Sequence, residues 1–311
     1  MTRLGQTIAA EIASLACSDN RIWVIDGDLG DSYGVDVLAT SHLRERFIQA
    51  GIAEQTMAGL AAGLAACGMR PVVFSFAAFL CCRAYDQIRV CISQTGLPVV
   101  LVGSHAGGCN AANGKTHSIL NDVAIMSTLP NIDVWAPADD ADAVYAVNQA
   151  LQSPVASYIR LPRDSQCRLP GEAALYRWWG TPGPIANVST GLGTQWAFEV
   201  QKLLLSCGVD VPVLHLLRLT NVSLPETAKT LLDAEHLIVI EDHCEFGGLA
   251  DIVRRQFPEK RVTAIAWPQG WTGASGDADA LRAACGIDTE TIFERCLRTL
   301  GKTTSHAAAV R

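Results

Sequence analysis

Glu54 is the residue of this 311-residue chain with the most suggestive surroundings. It precedes a run made almost entirely of Ala, Gly and Leu, so the sequence predicts a half-buried carboxylate at the start of a helix, with few local partners. Removal from water disfavours the charged form and raises a carboxyl pKa, the tuning by which an acid exchanges protons near neutrality. A glutamate stabilised at a helix N-terminus by the macrodipole is the alternative reading. Phe76 and Phe79 follow an apolar strand and could either fill a core or offer a flat ring to a ligand. His105 and His117 flank a Gly/Asn-rich loop that contains Asn113 and Lys115, and imidazoles there can donate hydrogen bonds to developing negative charge. Only Cys109 stands near them as a further metal ligand, so zinc spacing is lacking and no metal site is expected. Arg160 and Arg163 close a predicted strand, where a planar guanidinium suits an anion. Asp28, Leu29 and Ser32 follow another strand, and Asp28 also reads as a turn former.

The elements that must position these residues alternate. Leu4, Ile8, Ile12 and Leu15 recur at helical spacing, and 21–25 reads as a strand. Helix 53–67, strand 71–76, helix 79–95 and a strand at 97–103 buried on both faces follow, then 134–135, 141–151 and 156–160 repeat the theme. Such alternation predicts an α/β domain with a mainly parallel sheet over 1–164, its functional loops lying at the strand ends. The Pro/Gly-rich stretch 165–184 is expected to be a linker. Strands 185–190, 211–217 and 237–241 with helices 196–207, 227–233 and 249–257 predict a second, smaller α/β domain over 185–301, followed by a flexible tail at 302–311.

Longer patterns carry a resemblance. The order G-I-A-E54-Q-x-M-A-G-x-A-A-G-L-A-x-x-G68, then R-A-Y-D-Q-I-R, then Ser104-His105 with Thr116-His117 twelve residues on, then L-P-N-I-x-V-W-x-P-A-D139, resembles the pyrimidine-binding domain of thiamine-diphosphate enzymes of the transketolase family. Val239-Ile-Glu-Asp-His243-x-x-x-Gly-Gly248 is similar to that family's C-terminal domain. The resemblance implies that Glu54 holds N1′ of the cofactor's aminopyrimidine and promotes loss of the thiazolium proton. It implies that Phe76 and Phe79 stack on that ring and that Asp28 and Leu29 line the cofactor. His117 would contact the donor's hydroxymethyl group and the cofactor, while His105, Ser32 and Arg163 would hold a substrate phosphate. Asn113 stands where the family has an aspartate that accepts from the C2 hydroxyl, and Lys115 where it has proline. A third aromatic is replaced by Cys82 or Arg83.

A complete transketolase also carries an N-terminal domain for the diphosphate, with a Gly-Asp-Gly stretch and paired asparagines. Here Asp26-Gly27-Asp28 has the wrong order and no Asn-Asn follows. The resemblance therefore implies one half of a split enzyme: the C-terminal subunit of a two-component transketolase, α2β2 with an N-terminal component. That partner would share the thiamine diphosphate and bind its Mg²⁺ or Ca²⁺. Such an enzyme transfers a two-carbon ketol unit from a ketose, in particular a ketose phosphate, to an aldehyde. The Ala58, Ala61, Ala62 and Ala65 face is expected near the subunit interface. Rival readings are the β subunit of a 2-oxoacid dehydrogenase, suggested by Thr116-His117-Ser118, a deoxyxylulose-phosphate synthase-like protein, suggested by Arg83–Gln87, and a non-catalytic partner-binding subunit.

Composition sets the outer bounds. Forty-nine per cent hydrophobic residues exclude disorder, and the length predicts about two domains, each with its own core. With 24 basic against 31 acidic residues and no basic block, neither nucleic acid nor an anionic membrane is an expected partner. Eleven cysteines without C-x-x-C, several inside apolar runs (Cys67, Cys81, Cys82, Cys91), read as reduced thiols of a cytoplasmic protein. The apolar stretch 56–82 is cut by Gly68, Arg70 and Pro71, so it predicts a buried helix and strand rather than a membrane span.

Overall fold

The computed structural model describes residues 3–108, 110–163, 168–221, 233–270 and 273–301. Six strands, β1 (Ile22–Asp26), β2 (Phe47–Gln49), β3 (Arg70–Phe76), β4 (Val100–Ser104), β5 (Ile132–Trp135) and β6 (Ala156–Arg160), form one sheet in the order β2-β1-β3-β4-β6-β5. Every pairing in it is parallel. Side chains alternate across the pleat. Val24, Val72, Phe74, Val100 and Val102 point into a core with Leu4, Ile8 and Ile12 of the helix Arg3–Leu15 and Ala143, Ala146 and Val147 of the helix Asp140–Gln152. Ile25, Val73 and Leu101 point the other way, onto Met57, Ala58 and Ala61 of the helix Glu54–Ala66. With both faces covered, all of β4 and β6 is buried, which suits the apolar Val100–Val102 run of β4.

A second sheet holds β7 (Tyr176–Trp179), β8 (Ile185–Ser189), β9 (Val213–Leu216), β10 (His236–Cys244) and β11 (Arg261–Trp267) in the order β11-β10-β8-β9-β7. β7 is antiparallel to β9. The helices Leu192–Ser206 and Thr289–Thr299 supply Trp196, Val200, Ile292 and Leu297 to one face of this sheet. Its other face, with Val188, Leu214, Leu216 and Val239, belongs to the same buried cluster as Met57 and Leu101. Each sheet therefore has a core of its own on one face, and the remaining faces of the two sheets meet in a third, shared cluster.

Several expectations are corrected. The 165–184 stretch contains β7, an edge strand of the second sheet, so it is not a plain linker. The helix expected over 79–95 is interrupted: Ala84 N–H donates to Phe79 O and Gln94 N–H to Arg89 O, five residues back, and these wide π-turns flank a short helical piece, Tyr85–Gln87. Ala58, Ala61, Ala62 and Ala65 pack inside this chain's own core and do not form an outer face. On the exposed side of that helix Gly59 and Gly63 face open space, next to Leu60. Cys81 is buried, Cys91 intermediate, and Cys67 and Cys82 are exposed. Most of the helix expected at 227–233, and the tail at 302–311, lie outside the described residues. No helix among the described residues is long and apolar enough to cross a membrane.

Candidate active site

The first sheet delivers its chemistry at the C-terminal ends of its parallel strands. Past β2 the chain turns through Ala50–Ala53 and enters the helix at Glu54, whose residue is 1% exposed. Its carboxylate is not short of partners as expected. Arg83 Nη1 lies 2.7 Å from Oε2, and Ser75 Oγ, on β3, lies 3.5 Å from Oε1. The π-turn Phe79–Arg83 accommodates one residue more than an α-turn and brings Arg83 round to this point. The Arg83 guanidinium carbon also sits 4.4 Å from the centroid of the Phe79 ring. Arg83, rather than Cys82, therefore takes the place beside the two phenylalanines where a third aromatic was expected.

Phe76 ends β3, and its ring centroid lies 5.6 Å from that of Phe79 at an interplanar angle of 25°. Phe76 is 3% exposed, with Tyr33 and His105 against it, whereas Phe79 is half-buried and keeps an accessible side. The His105 ring lies 4.1 Å from Phe76, and the His117 ring sits edge-on to Phe76 and Phe79 at 5.7 and 5.3 Å. Glu54, Arg83, Phe79, Phe76, His117 and His105 thus form one continuous chain of contacts. His117 Nδ1 is 2.7 Å from Thr116 Oγ1, and His105 Nδ1 is 3.1 Å from Ser104 Oγ. Burial, then the nearby Arg163 guanidinium, pull the His105 pKa down to about 4, so its ring is neutral at neutral pH.

His105 (φ 59°) and Asp28 (φ 64°) both hold left-handed backbone conformations. Non-glycine residues in that region store strain of about 1–3 kcal/mol, and such strain clusters at functional sites. Asp28 is exposed and Leu29 half-buried, after β1. Ser32 lies in the short helix Gly30–Tyr33 and its hydroxyl is 3.4 Å from Asp31. Among the described residues no hydrogen bond or ring contact joins Asp28, Leu29 or Ser32 to the histidines. Asn113 lies exposed on the turn Ala111–Asn113. Arg160 is committed elsewhere: it is buried and pairs with Asp122 through Nε at 2.8 Å and Nη2 at 3.2 Å. Arg163 is half-buried and close enough to act on His105 through its charge.

Sequence reasoning missed three contributors. Arg83 is twenty-nine residues from Glu54, and only the π-turn joins them. Asp26, at the end of β1, is buried and accepts from Tyr33 OH at 2.6 Å and Gln49 Nε2 at 2.9 Å. Asp242, on β10, accepts from the Gly108 N–H at 3.0 Å, between the two histidines. The Glu241-Asp242-His243 run gave a signal for the last, through its resemblance to a C-terminal domain, although not for the contact. A cavity of about 570 Å³ adjoins this loop, lined by residues that include Cys82, Lys115, Ser118, Asn121, Cys244 and Gln269.

An enclosed carboxylate beside an aromatic face, at the strand ends of a parallel sheet, defines an α/β protein suited to a flat, nitrogen-bearing ring. Residues 2–167 match the pyrimidine binding domain of transketolase, and the chain belongs to the transketolase family, as a C-terminal component. It is 29% identical over 290 residues to a transketolase C-terminal section of Methanocaldococcus jannaschii, covering 90% of each chain. It is 30% identical over 254 residues to the 6-deoxy-6-sulfo-D-fructose transketolase subunit SqwH of Clostridium sp. (strain MSTE9), covering 79% of this chain and 78% of that one. A split-gene transketolase, solved as an inactive β4 tetramer, superposes with a TM-score of 0.86 at 25% identity, covering 97% of this chain and 99% of that one. The longer 1-deoxy-D-xylulose-5-phosphate synthase of Clostridium tetani, 26% identical over 299 residues, is spanned for 48% of its length by 93% of this chain.

Family membership implies thiamine diphosphate. The residues present fit its aminopyrimidine end, since the Glu54 carboxylate can accept from a ring nitrogen's proton and Phe79 offers a ring face. Among the described residues no group of three or more His, Cys, Asp or Glu could hold a metal ion.

Proposed function

We propose that this chain is the C-terminal subunit of a two-component transketolase that moves a two-carbon ketol unit from a ketose to an aldehyde. The observation that carries the reading is the Glu54 carboxylate, enclosed by protein, ion-paired with Arg83 and joined through it to the cluster of Phe79, Phe76, His105 and His117. When bound, thiamine diphosphate supplies the carbon nucleophile and the electron sink for the two-carbon unit. Glu54 holds and moves the proton at N1′ of the aminopyrimidine, Phe79 offers the stacking face, and Phe76 supports Phe79 from behind. Asp28 and Leu29 line the cofactor. His117 and Asn113 orient the donor's hydroxyl groups; His105, neutral and buried, joins Arg163 and Ser32 around a phosphate or a comparable anionic end.

The partner requirement is part of the proposal. The name of the M. jannaschii relative, a C-terminal section, and the split-gene neighbour favour a separate N-terminal chain that supplies the diphosphate site with its Mg²⁺ or Ca²⁺, in an α2β2 assembly. The test is reconstitution with a separate chain that bears a diphosphate domain. Ketol transfer that needs both chains and the cofactor supports the reading. Full activity from this chain alone removes the split-enzyme claim, and decarboxylation of pyruvate onto a lipoyl acceptor moves the assignment to a 2-oxoacid dehydrogenase.

A further inference from the structure

The loop that carries both histidines is held from outside the first sheet. Asp242, at the C-terminal half of β10 in the second sheet, is 1% exposed. Its Oδ1 accepts from the Gly108 N–H at 3.0 Å and from Trp267 Nε1, on β11, at 2.6 Å. Its main-chain oxygen accepts from Arg160 Nη2 at 2.9 Å, at the end of β6, and Cys244 N–H donates to Leu120 O at 2.7 Å on the far side of the loop. A Cβ on Gly107 would collide with the Asp242 carboxylate, and one on Gly108 with the Trp267 indole. A Cβ on Gly114 would meet Ser275, and Gly273 is packed as closely on Lys115. The loop's glycines are thus where the second sheet and its loops touch it.

We propose that Asp242 is a positioning residue: through the Gly108 amide it fixes where His105 and His117 stand, and so governs donor binding. This rests on the reading of those histidines as donor contacts. Its Oδ1 satisfies two buried donors while its Oδ2 has no hydrogen-bond partner among the described residues, and an apolar side chain of similar size would leave the Gly108 and Trp267 N–H groups unpaired. What the carboxylate supplies, and an apolar group cannot, is an acceptor placed between a loop amide and an anchored indole. Glu54 and Phe79, which hold the aminopyrimidine in that reading, stand on other segments, so cofactor binding should change far less than donor binding.

The experiment compares wild type with Asp242→Ala and Asp242→Asn in the reconstituted two-chain complex. Three quantities are measured: donor KM with kcat, the dissociation constant of thiamine diphosphate, and hydrogen exchange of peptides covering 106–118. Asp242→Ala is expected to speed exchange in that loop and raise donor KM about 10- to 100-fold, the effect of misplacing a substrate contact by an ångström. The cofactor constant stays within about threefold, since Glu54 and Phe79 are undisturbed. Asp242→Asn keeps an amide oxygen for Gly108 and should rescue both loop exchange and KM. Unchanged loop exchange and KM in Asp242→Ala overturn the proposal. So does a loss of cofactor and donor affinity in equal measure with faster exchange throughout, the signature of mere destabilisation. If Asp242→Ala does not fold, Trp267→Phe, which removes the second donor to Oδ1, must show the same pattern more weakly, and no change there overturns the proposal too. A wild-type complex without ketol transfer would refute the functional reading alone, while loop exchange would still decide the role of Asp242.

Discussion

Arg83 and Glu54 form the pair on which the site is built. The carboxylate is fully enclosed, while the arginine side chain is 45% exposed, so one half of the pair faces solvent. Replacing Arg83 by alanine leaves a buried acceptor with Ser75 as its remaining side-chain partner among the described residues. We expect a stability loss of about 1–3 kcal/mol, read as a lower denaturant midpoint with an unchanged slope. No change in midpoint would mean that water reaches Glu54 as well as the guanidinium does. Glu54 itself was legible because a lone acid before a run of Ala, Gly and Leu has nowhere to go but inward. Its partner was not, because a π-turn shifts the register by one residue and periodicity cannot foresee that shift. His105 was legible as a polar residue in a glycine-rich loop, but its left-handed backbone and neutral ring depend on packing.

The second sheet makes the strand ends of the first into a site. Asp122 starts the helix Asp122–Ser127, and its buried carboxylate takes Arg160 at 2.8 and 3.2 Å and Tyr158 OH at 2.9 Å. Arg160 then reaches the main chain of Asp242. Removing one partner of such a buried pair strands the other charge, so Asp122→Ala should cost about 3–5 kcal/mol by chemical denaturation. A loss below about 1 kcal/mol, the scale of an exposed pair, would contradict this account of the junction. The parallel strands were legible from the alternation of apolar runs with helical spacing. β7 was not, because Pro170, Gly171, Gly180 and Pro182 around it read as linker, and only pairing with β9 makes Tyr176–Trp179 a strand. Its Arg177 then enters the first sheet's network, reaching Asp142 at 2.7 Å.

At the scale of the molecule, buried titratable groups in both sheets tie stability to pH. Burial lowers His105 and His243 from 6.5 to about 4, so folded protein binds fewer protons there than unfolded protein. Their contribution is present above pH 6.5 and lost as pH falls towards 4. Glu241 has the opposite sign: burial raises it to about 7 although the Leu249 and Ala250 amides donate to it. Its contribution is present below 4.5 and lost as pH rises through 7. Glu241→Gln removes that titration, so the stability of wild type relative to this variant should grow between pH 7.5 and 5, measured by urea unfolding; a constant difference would remove Glu241 from the account. The alternation that builds two sheets was legible, whereas the contact of one sheet's loop with the other was not, since it joins residues more than a hundred positions apart such as Gly108 and Asp242. The most direct test of the central claim is the rate of thiamine-diphosphate-dependent ketol transfer by the reconstituted complex with Glu54 or with Glu54→Gln. A general acid–base role predicts a fall of about 10²-fold or more with the fold and the partner contact intact; equal rates would contradict it.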